Sequence, residues 1–275
     1  MKLEYISNAS DILLEELKRQ LNRKFLRRLK SLDTKFYVNG IETKTFMKIN
    51  KGDIISFSYE EENEINWPLY ESIVDVRYED SHYLVVNKRK GLLSIPTKGE
   101  PKSLYQEVLY YLKDKGITKI SILNRLDKET SGLVLIAKDR ISANYLQPSH
   151  KYIERHYICY THGIWDIKEG RIETYIEKDI DTNKRYVSSS GKIAISNYKV
   201  LEEANNVSKV LFILETGRTH QIRVHTSYMK HPILGDKLYG ILDNCDKMLL
   251  ESVYLSFKDP YTNKVVEVNI WKAKL

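Results

Sequence analysis

Cysteine is scarce in this chain: its 275 residues include two, Cys159 and Cys245, which lie far apart. No Cys-x-x-Cys spacing occurs, so the sequence predicts neither a disulfide framework nor a zinc site. Long apolar runs are also missing, since none approaches the roughly 18 residues that a membrane-spanning helix needs. The N-terminus lacks the apolar core and cleavage site of a secretory signal peptide. We therefore expect a soluble, cytoplasmic protein that does not associate with a membrane.

Acidic residues are outnumbered by basic ones, with 37 Asp and Glu against 44 Lys and Arg, which gives a formal net charge of +7. Such a charge attracts polyanions and favours a nucleic-acid partner, although it is also common on proteins that bind none. We find no internal repeat and no low-complexity tract. A chain of this length is expected to form about two domains.

Residues 1–59 begin with two short amphipathic patterns that predict two helices. Ser10 or Asp11 can cap the first helix, and Asn22 can cap the second. Between residues 18 and 30 every charged residue is basic, and the spacing of positions 19, 23 and 27 predicts one basic face suited to phosphate. The candidate RNA-binding residues of this face are Arg19, Arg23, Lys24, Arg27 and Arg28.

The helices are followed by a predicted strand, an Asn-Gly turn at 39–40, and a return strand over 49–58 that is entered through Gly52 and Asp53. This order of helices, basic face and turns resembles the S4 RNA-binding domain, which implies RNA contact. The alternative is a solvated basic face that binds nothing. Residues 60–68 are acidic at first and aperiodic and predict a linker, so that residues 69–275 form the second domain.

Many strands and few helices are predicted in residues 69–275. The helices are expected at 104–113, from Ser142 to a stop before Pro148, and near Thr219. The strands are expected at 73–78, 83–87, 133–137, 157–161, 172–176, 193–201, 207–215, 250–257 and 265–270. This pattern favours a largely antiparallel α+β fold over a doubly wound parallel sheet.

The most informative stretch is 121–138, where a polar turn separates two apolar runs and predicts strand, exposed turn, strand. Residues 124–133 read Asn-Arg-Leu-Asp-Lys-Glu-Thr-Ser-Gly-Leu. By pattern alone, an ordinary hairpin in which Asp127 bonds its own backbone is the simpler interpretation. The stretch nevertheless resembles the catalytic motif of RluA-type pseudouridine synthases, with Asn124 where that family usually has His.

Two further segments extend the resemblance. Residues 79–96 contain Lys88 and Gly91, with Arg89 where the family usually has Pro. Residues 155–163 begin Arg-His-Tyr and are similar to a family strand that carries a Lys-x-Tyr pattern, which aligns Tyr157 with the family tyrosine. Without the motif, a buried structural tyrosine is the favoured interpretation of Tyr157.

A fourth segment, residues 214–225, reads Leu-Glu-Thr-Gly-Arg-Thr-His-Gln-Ile-Arg-Val-His. It predicts a glycine turn that leads into a helix capped by Thr216 or Thr219, with an end that attracts anions. His220 and His225 are not spaced i, i+4 and have no acidic or cysteine companion, so no metal site is predicted. The resemblance covers nearly all of residues 70–270.

The resemblance implies the pseudouridine-synthase fold, a long, bent, mixed and mostly antiparallel sheet with the active-site cleft across its middle. It also implies isomerisation of uridine to pseudouridine in RNA, without a cofactor. The implied catalytic residues are Asp127, Tyr157 and Arg223, the arginine pairing with the aspartate. The implied substrate-binding residues are Asn124, Arg125, Thr130, Arg218 and His220. Whether Asp127 adds to C1′ or removes a sugar proton stays open.

The expected partner is RNA, with large-subunit ribosomal RNA favoured by family association and transfer RNA as an alternative, and we expect a monomer. A second hypothesis is a catalytically inactive RNA-binding or ribosome-assembly factor on the same fold. Its motivation is the presence of Asn124 and Arg89 where the family usually differs, together with the basic pair of helices. A hydrolase that uses Asp127 as a base is a weaker third hypothesis, because no second catalytic carboxylate accompanies it.

Overall fold

The computed structural model of this chain describes residues 2–21, 23–59, 68–97, 99–100, 102–146, 153–182 and 184–271. The predicted linker at 60–68 lies outside the described residues except for its last position. Asn22 and Pro148, the predicted boundaries of two helices, also lie outside them, as do the side chains of Arg23 and Lys24. The domain boundaries stay a prediction.

Residues 2–59 form a small sheet packed against two helices. Its elements are β1 (Lys2–Ile6), β2 (Asp11–Ile12), α1 (Leu13–Gln20), α2 (Arg23–Ser31), β3 (Phe36–Val38), β4 (Ile41–Thr43), β5 (Lys48–Ile49) and β6 (Ile54–Ser58). Four strands pair antiparallel in the order β1-β6-β3-β4, and β2 pairs with β5. The apolar faces of both helices pack against the sheet, with Leu17, Leu29 and Phe57 almost fully buried. Burial of these faces stabilises helices that are too short to persist alone.

One sequence prediction in this unit is wrong, and a second is incomplete because it missed β4. The helix α1 begins after Ile12 rather than after a capping Ser10 or Asp11, because residues 11 and 12 pair as a strand with β5. The Asn-Gly turn leads into β4, whereas β6 pairs with the other edge of β3. The side chains of Asn39 and Asp53 connect this turn to the start of β6, with Asn39 Nδ2 donating to Asp53 Oδ1 at 2.9 Å.

The predicted single basic face is divided between two helices. The backbone is extended at Leu21, so that Arg19 belongs to α1 and Arg27 to α2. Arg19 donates to Asp11 at 2.7 Å and to Glu16 at 2.9 Å, so acidic neighbours already neutralise its charge. The spacing of positions 19, 23 and 27 therefore does not continue along one helix, and RNA binding by Arg19 stays a prediction.

Residues 76–271 build an eleven-stranded sheet with three α-helices. The first elements are β7 (Val76–Glu79), β8 (Tyr83–Lys88), α3 (Leu104–Leu112), β9 (Ser121–Ile122), β10 (Ser131–Ala137), α4 (Arg140–Leu146) and β11 (Ile153–His162). They are followed by β12 (Glu169–Lys178), β13 (Arg185–Ser188), β14 (Lys192–Ala204), β15 (Val207–Leu214), α5 (Gln221–Tyr228), β16 (Leu250–Lys258) and β17 (Val265–Asn269). All the predicted strands are present, and the sequence patterns missed β13.

The strand order is β13-β12-β14-β15-β11-β16-β10-β8-β7, with β17 beside β16 and β9 beside β10. Pairing is antiparallel throughout the named strands of the described ranges, except for a two-residue parallel contact between β10 and β16. The prediction of a mixed, mostly antiparallel α+β fold is confirmed. Within the same ranges, no helix has both the length and the apolar character needed to cross a membrane.

The short contact between β10 and β16 lies in the middle of the sheet and depends on Gly132. This residue has a φ of +112°, and a Cβ on it would lie 2.1 Å from the Ser252 carbonyl oxygen. A side chain is therefore excluded by both the backbone conformation and the space. The close approach fixes the end of the loop that carries Asp127 against the neighbouring strand.

The helix α5 is attached to the sheet by a buried histidine. His225 Nδ1 lies 3.0 Å from Ser196 Oγ, and Nε2 lies 3.0 Å from Thr174 Oγ1. Burial lowers the pKa of His225 from 6.5 to about 4, so the ring is neutral in the native protein at neutral pH. The unfolded chain binds this proton at a higher pH than the folded chain, so stability falls as the pH drops from 6.5 towards 4.

We expect the free energy of unfolding to decrease by about 2 kcal/mol from this histidine between pH 7 and pH 5. His225→Gln keeps a polar side chain but cannot titrate, so its stability should depend less on pH in this window. Urea unfolding at a series of pH values measures the difference. An equal slope for both proteins would contradict the assignment.

Candidate active site

The Asp127 carboxylate projects from the loop between β9 and β10. The loop is fixed on one side by Ser94, whose hydroxyl accepts from the N–H of Leu126 at 3.0 Å and donates to its carbonyl at 2.7 Å. The N–H of Thr130 bonds the Asp127 carbonyl at 3.1 Å and closes the turn. The carboxylate itself points towards Arg223 rather than to its own backbone. The interpretation of this segment as an ordinary self-bonded hairpin is therefore wrong.

Arg223 extends from α5 and connects two carboxylates. Its Nη1 lies 3.3 Å from Asp127 Oδ2, while Nε and Nη2 each donate to Asp236 at 2.7 Å. Burial alone would raise the pKa of Asp236, but the Arg223 bonds outweigh it and the pKa is lowered. Asp236 therefore holds the guanidinium in a fixed orientation and leaves one nitrogen for Asp127.

The sequence patterns did not indicate the role of Asp236. It is 3% exposed, and its Oδ1 also accepts the N–H groups of Leu238 and Tyr239. The pattern did not indicate which cation it meets, because thirteen residues separate it from Arg223.

His220 directly precedes α5 and has a left-handed backbone, with a φ of 58°. The prediction that Thr216 or Thr219 caps this helix is wrong, since the N-cap is His220 and no side chain caps it. Its Nδ1 lies 2.8 Å from Tyr239 Oη, and its Nε2 lies 3.8 Å from Asp127 Oδ2. Burial lowers the pKa of His220 although Asp127 opposes the shift, so Arg223 is the charged partner of the carboxylate.

Tyr157 lies on β11 and forms a wall of the recess that contains Asp127. The side chain is 6% exposed, and burial raises the pKa of its phenol. The phenol therefore stays protonated, which suits a flat stacking surface and excludes a phenolate base at neutral pH. The apolar part of the same recess consists of Leu214, Ile222 and Leu250.

Lys88 lies below the catalytic loop and was not assigned a role from the sequence. Its Nζ donates to the carbonyls of Arg89, Leu92 and Lys128, at 3.0, 2.8 and 3.2 Å. Burial lowers the pKa of Lys88 to about 8, against the opposing charge of Asp127. The ammonium joins the end of β8 to the residue that follows Asp127, and so supports the position of the carboxylate.

The two departures from the family pattern both have local structural roles. The Asn124 amide donates to the Leu133 carbonyl at 3.1 Å and accepts the Leu135 N–H at 2.6 Å. Its polar atoms therefore bind β10, and the assignment of Asn124 to substrate binding stays a prediction. Arg89 makes a two-bond contact with the buried Glu107, at 2.8 and 2.6 Å.

Arg125, Arg218 and His220 lie around one cavity of about 780 Å³, which Asn124 also lines. Arg125 is exposed at its wall, and Arg218 lies nearby with its Nε donating to the Ile193 carbonyl at 2.7 Å. Thr130 is buried and lines the smaller recess beside Asp127. Arg27 and Arg28, the candidate residues of α2 whose side chains the structure describes, do not line this cavity. In the part of the chain that the structure describes, no group of three or more His, Cys, Asp or Glu residues could hold a metal ion.

Comparison with known sequences agrees with this geometry. The profile of a family described as RNA pseudouridylate synthase matches residues 82–228. The uncharacterized RNA pseudouridine synthase YjbO of Bacillus subtilis (strain 168) is 33% identical over 82% of this chain and 83% of that protein. The ribosomal large subunit pseudouridine synthase D of Buchnera aphidicola subsp. Schizaphis graminum (strain Sg) is 34% identical over 96% of this chain and 90% of that protein.

Solved structures share the fold. Human RNA Pseudouridylate Synthase Domain Containing 1 has a TM-score of 0.62 and 25% identity, over 76% of this chain and 87% of that chain. Human RNA Pseudouridylate Synthase Domain Containing 4 has a TM-score of 0.60 and 20% identity, over 73% of this chain and 89% of that chain. The predicted pseudouridine-synthase fold is thereby confirmed. The matched profile and the extent of these similarities show that this chain belongs to the RNA pseudouridylate synthase family and is an isomerase that acts on RNA.

Proposed function

We propose that this chain converts specific uridines of large-subunit ribosomal RNA to pseudouridine, as a monomeric cytoplasmic enzyme with Asp127 as its essential carboxylate. The observation that carries the proposal is the contact of Asp127 with Arg223 at 3.3 Å, in a recess shared with Tyr157. The target is supported by the relatives named ribosomal large subunit pseudouridine synthase D, from Buchnera aphidicola and Vibrio vulnificus.

The reaction breaks the N1–C1′ bond of uridine, rotates the base and joins C5 to C1′. The C5 proton leaves, and N1 gains one, so the atoms of the nucleotide are conserved. An ionised Asp127 either adds to C1′ or removes a sugar proton, and both routes need a carboxylate held in its charged form. Arg223 supplies the positive charge, and Asp236 keeps that arginine in place.

The walls of the recess enclose Asp127 on several sides, so the uridine must leave the base stack to reach the carboxylate. Tyr157 then provides a flat surface for the extruded uracil, worth roughly 1–3 kcal/mol for a stacked base. Arg125 lies exposed at the cavity wall, where it can contact the RNA or occupy the position that the base has left.

The inactive RNA-binding hypothesis is weakened at this point. The side chains of Asn124 and Arg89 are both engaged in local structure, which leaves the basic helices of residues 1–59 as its motivation. Neither departure removes Asp127, Tyr157 or Arg223. We therefore favour an active enzyme.

Mapping of pseudouridine tests the proposal directly. The purified protein is incubated with transcripts of large-subunit ribosomal RNA, small-subunit ribosomal RNA and transfer RNA, and the products are mapped by carbodiimide-blocked primer extension. We expect new stops in the large-subunit RNA alone. Stops confined to transfer RNA would make transfer RNA the target. An active enzyme would be contradicted if none of the three RNAs shows a new stop and if pseudouridine maps of cells with and without the gene are identical.

We also propose that residues 1–59 act as an S4-like RNA-binding unit through α2. Arg27 and Lys30 lie exposed on this helix, and neighbouring cations increase the local positive charge. Arg27→Glu with Lys30→Glu should weaken binding of ribosomal RNA and reduce the salt dependence of the affinity. Filter binding across a salt titration measures both. Lys35→Glu with Lys44→Glu makes the same charge change elsewhere in the unit, and equal losses from both pairs would refute a specific role of α2.

A further inference from the structure

Arg155 is a buried cation with hydrogen-bonding groups that no residue of the described part of the chain satisfies. It is 3% exposed, and its Nε and Nη2 have no partner. Within the described ranges no carboxylate forms an ion pair with it, whereas Arg223 contacts two. A buried guanidinium with free donors is unfavourable in a protein unless a ligand or a function compensates for it.

The position of Arg155 connects it to the start of α5. A Cβ on Gly217 would lie only 2.8 Å from Arg155 Nη1, so the guanidinium packs directly against this glycine. The turn from Gly217 to His220 then leads into α5, whose first backbone N–H groups lie beyond the reach of intrahelical carbonyls. A positive helix end and an unpaired arginine therefore lie together.

These groups lie at the edge of the Asp127 recess. Asp127, Tyr157, Arg218 and His220 line both the recess and the larger cavity, whereas Arg155, Gly217 and Thr219 line only the larger cavity. A nucleotide whose base enters the recess carries its sugar and phosphates out into the larger cavity. The group that meets Arg155 is then part of the RNA backbone.

We propose that Arg155 and the Gly217–His220 turn bind a phosphate group of the RNA backbone adjacent to the nucleotide in the recess. The inference rests on the proposed function, since it assumes that RNA occupies the cavity. The Nε and Nη2 atoms of Arg155 form one edge of the guanidinium, and such an edge fits two oxygens of one phosphate. Because the Nε and Nη2 atoms are buried in the free protein, binding requires a local shift that exposes this edge to the phosphate.

Substitution of Arg155 distinguishes a role in ligand binding from a purely structural role. Arg155→Gln should lower the affinity for a short single-stranded oligouridylate about tenfold, because a charge-assisted contact is lost. The slope of log affinity against log salt should fall by about 0.7 for the one phosphate contact. The melting temperature should stay equal or rise, because an unpaired buried charge is removed. A residue that merely stabilises the fold would instead lower it.

Two further variants make the test specific. Gly217→Ala keeps the arginine but places a methyl group against its guanidinium, and should also weaken oligouridylate binding. Arg77→Gln removes an exposed arginine of the edge strand β7 and should leave the affinity within twofold of wild type. Binding is measured by fluorescence anisotropy, and unfolding by calorimetry, on the full chain.

The proposal is overturned if Arg155→Gln binds oligouridylate as Arg77→Gln does. It is also overturned if affinity falls without a change in salt slope, or if the melting temperature falls while affinity is kept. These measurements need no turnover, so they are read independently of pseudouridine formation. A protein that binds through Arg155 but modifies no RNA would contradict the proposed function and leave the phosphate site standing.

Discussion

Asp127→Asn is expected to abolish pseudouridine formation, with a loss on the order of 10⁴-fold or more in the single-turnover rate. The amide keeps the shape of the side chain but can neither add to C1′ nor accept a sugar proton. Arg223 retains its two bonds to Asp236 in this variant, so the fold should be unaffected. The rate is measured on the RNA that the wild-type protein modifies, from timed samples mapped by primer extension.

Glu129→Gln is the matched control for this variant. It removes one negative charge from the same loop, but Glu129 is exposed and lines the larger cavity, outside the recess. Its rate should lie within a few-fold of wild type. Activity of Asp127→Asn within tenfold of Glu129→Gln would remove Asp127 from the mechanism, whatever the target RNA.

Arg223→Met is expected to be both inactive and unstable, because it leaves Asp236 buried without its cation. Removal of one member of a buried ion pair costs about 3–5 kcal/mol in the free energy of unfolding. Arg77→Met, which breaks the exposed Arg77–Asp75 pair, should lower the free energy of unfolding by less than about 1 kcal/mol. Urea unfolding of the two variants gives the comparison.

A double variant separates stability from catalysis. Arg223→Met with Asp236→Asn removes both charges, while the carbonyl oxygen of the introduced amide can still accept the N–H groups of Leu238 and Tyr239. Its free energy of unfolding should be about 2 kcal/mol higher than that of Arg223→Met. Activity should stay at least about 10²-fold below wild type, because nothing orients the Asp127 carboxylate. Recovery of activity together with stability would show that Arg223 acts only on the fold.

The fold was predictable from the sequence wherever one face of an element is buried. The helix predicted at 104–113 is α3 at Leu104–Leu112, and the long strands lie within a few residues of their predicted positions. Predictions failed where a distant segment determines the local structure. Asp11 and Ile12 form a strand because β5 lies beside them, and the exposed strand β13 has no strong apolar alternation.

The site was predictable to a different degree for each residue. The motif around Asp127 and the positions of Tyr157 and Arg223 follow from resemblance over short segments, and the structure brings all three to one recess. Asn124 was assigned to substrate although its amide binds the backbone of β10. Residues that act through packing or an unpaired charge, such as Lys88 and Arg155, carry no signal in a linear pattern.

The sequence by itself determined the strand-rich α+β class, the family resemblance and the carboxylate at position 127, because each depends on local periodicity or on a short contiguous motif. Only the tertiary structure decided that Arg223 is shared between Asp127 and Asp236, and that Arg155 lies unpaired under Gly217. Ion pairing and burial depend on distances in space between segments that are far apart in the chain. Asp127 and Arg223 are roughly 100 residues apart, and Arg155 and Gly217 roughly 60, and a linear sequence does not contain those distances.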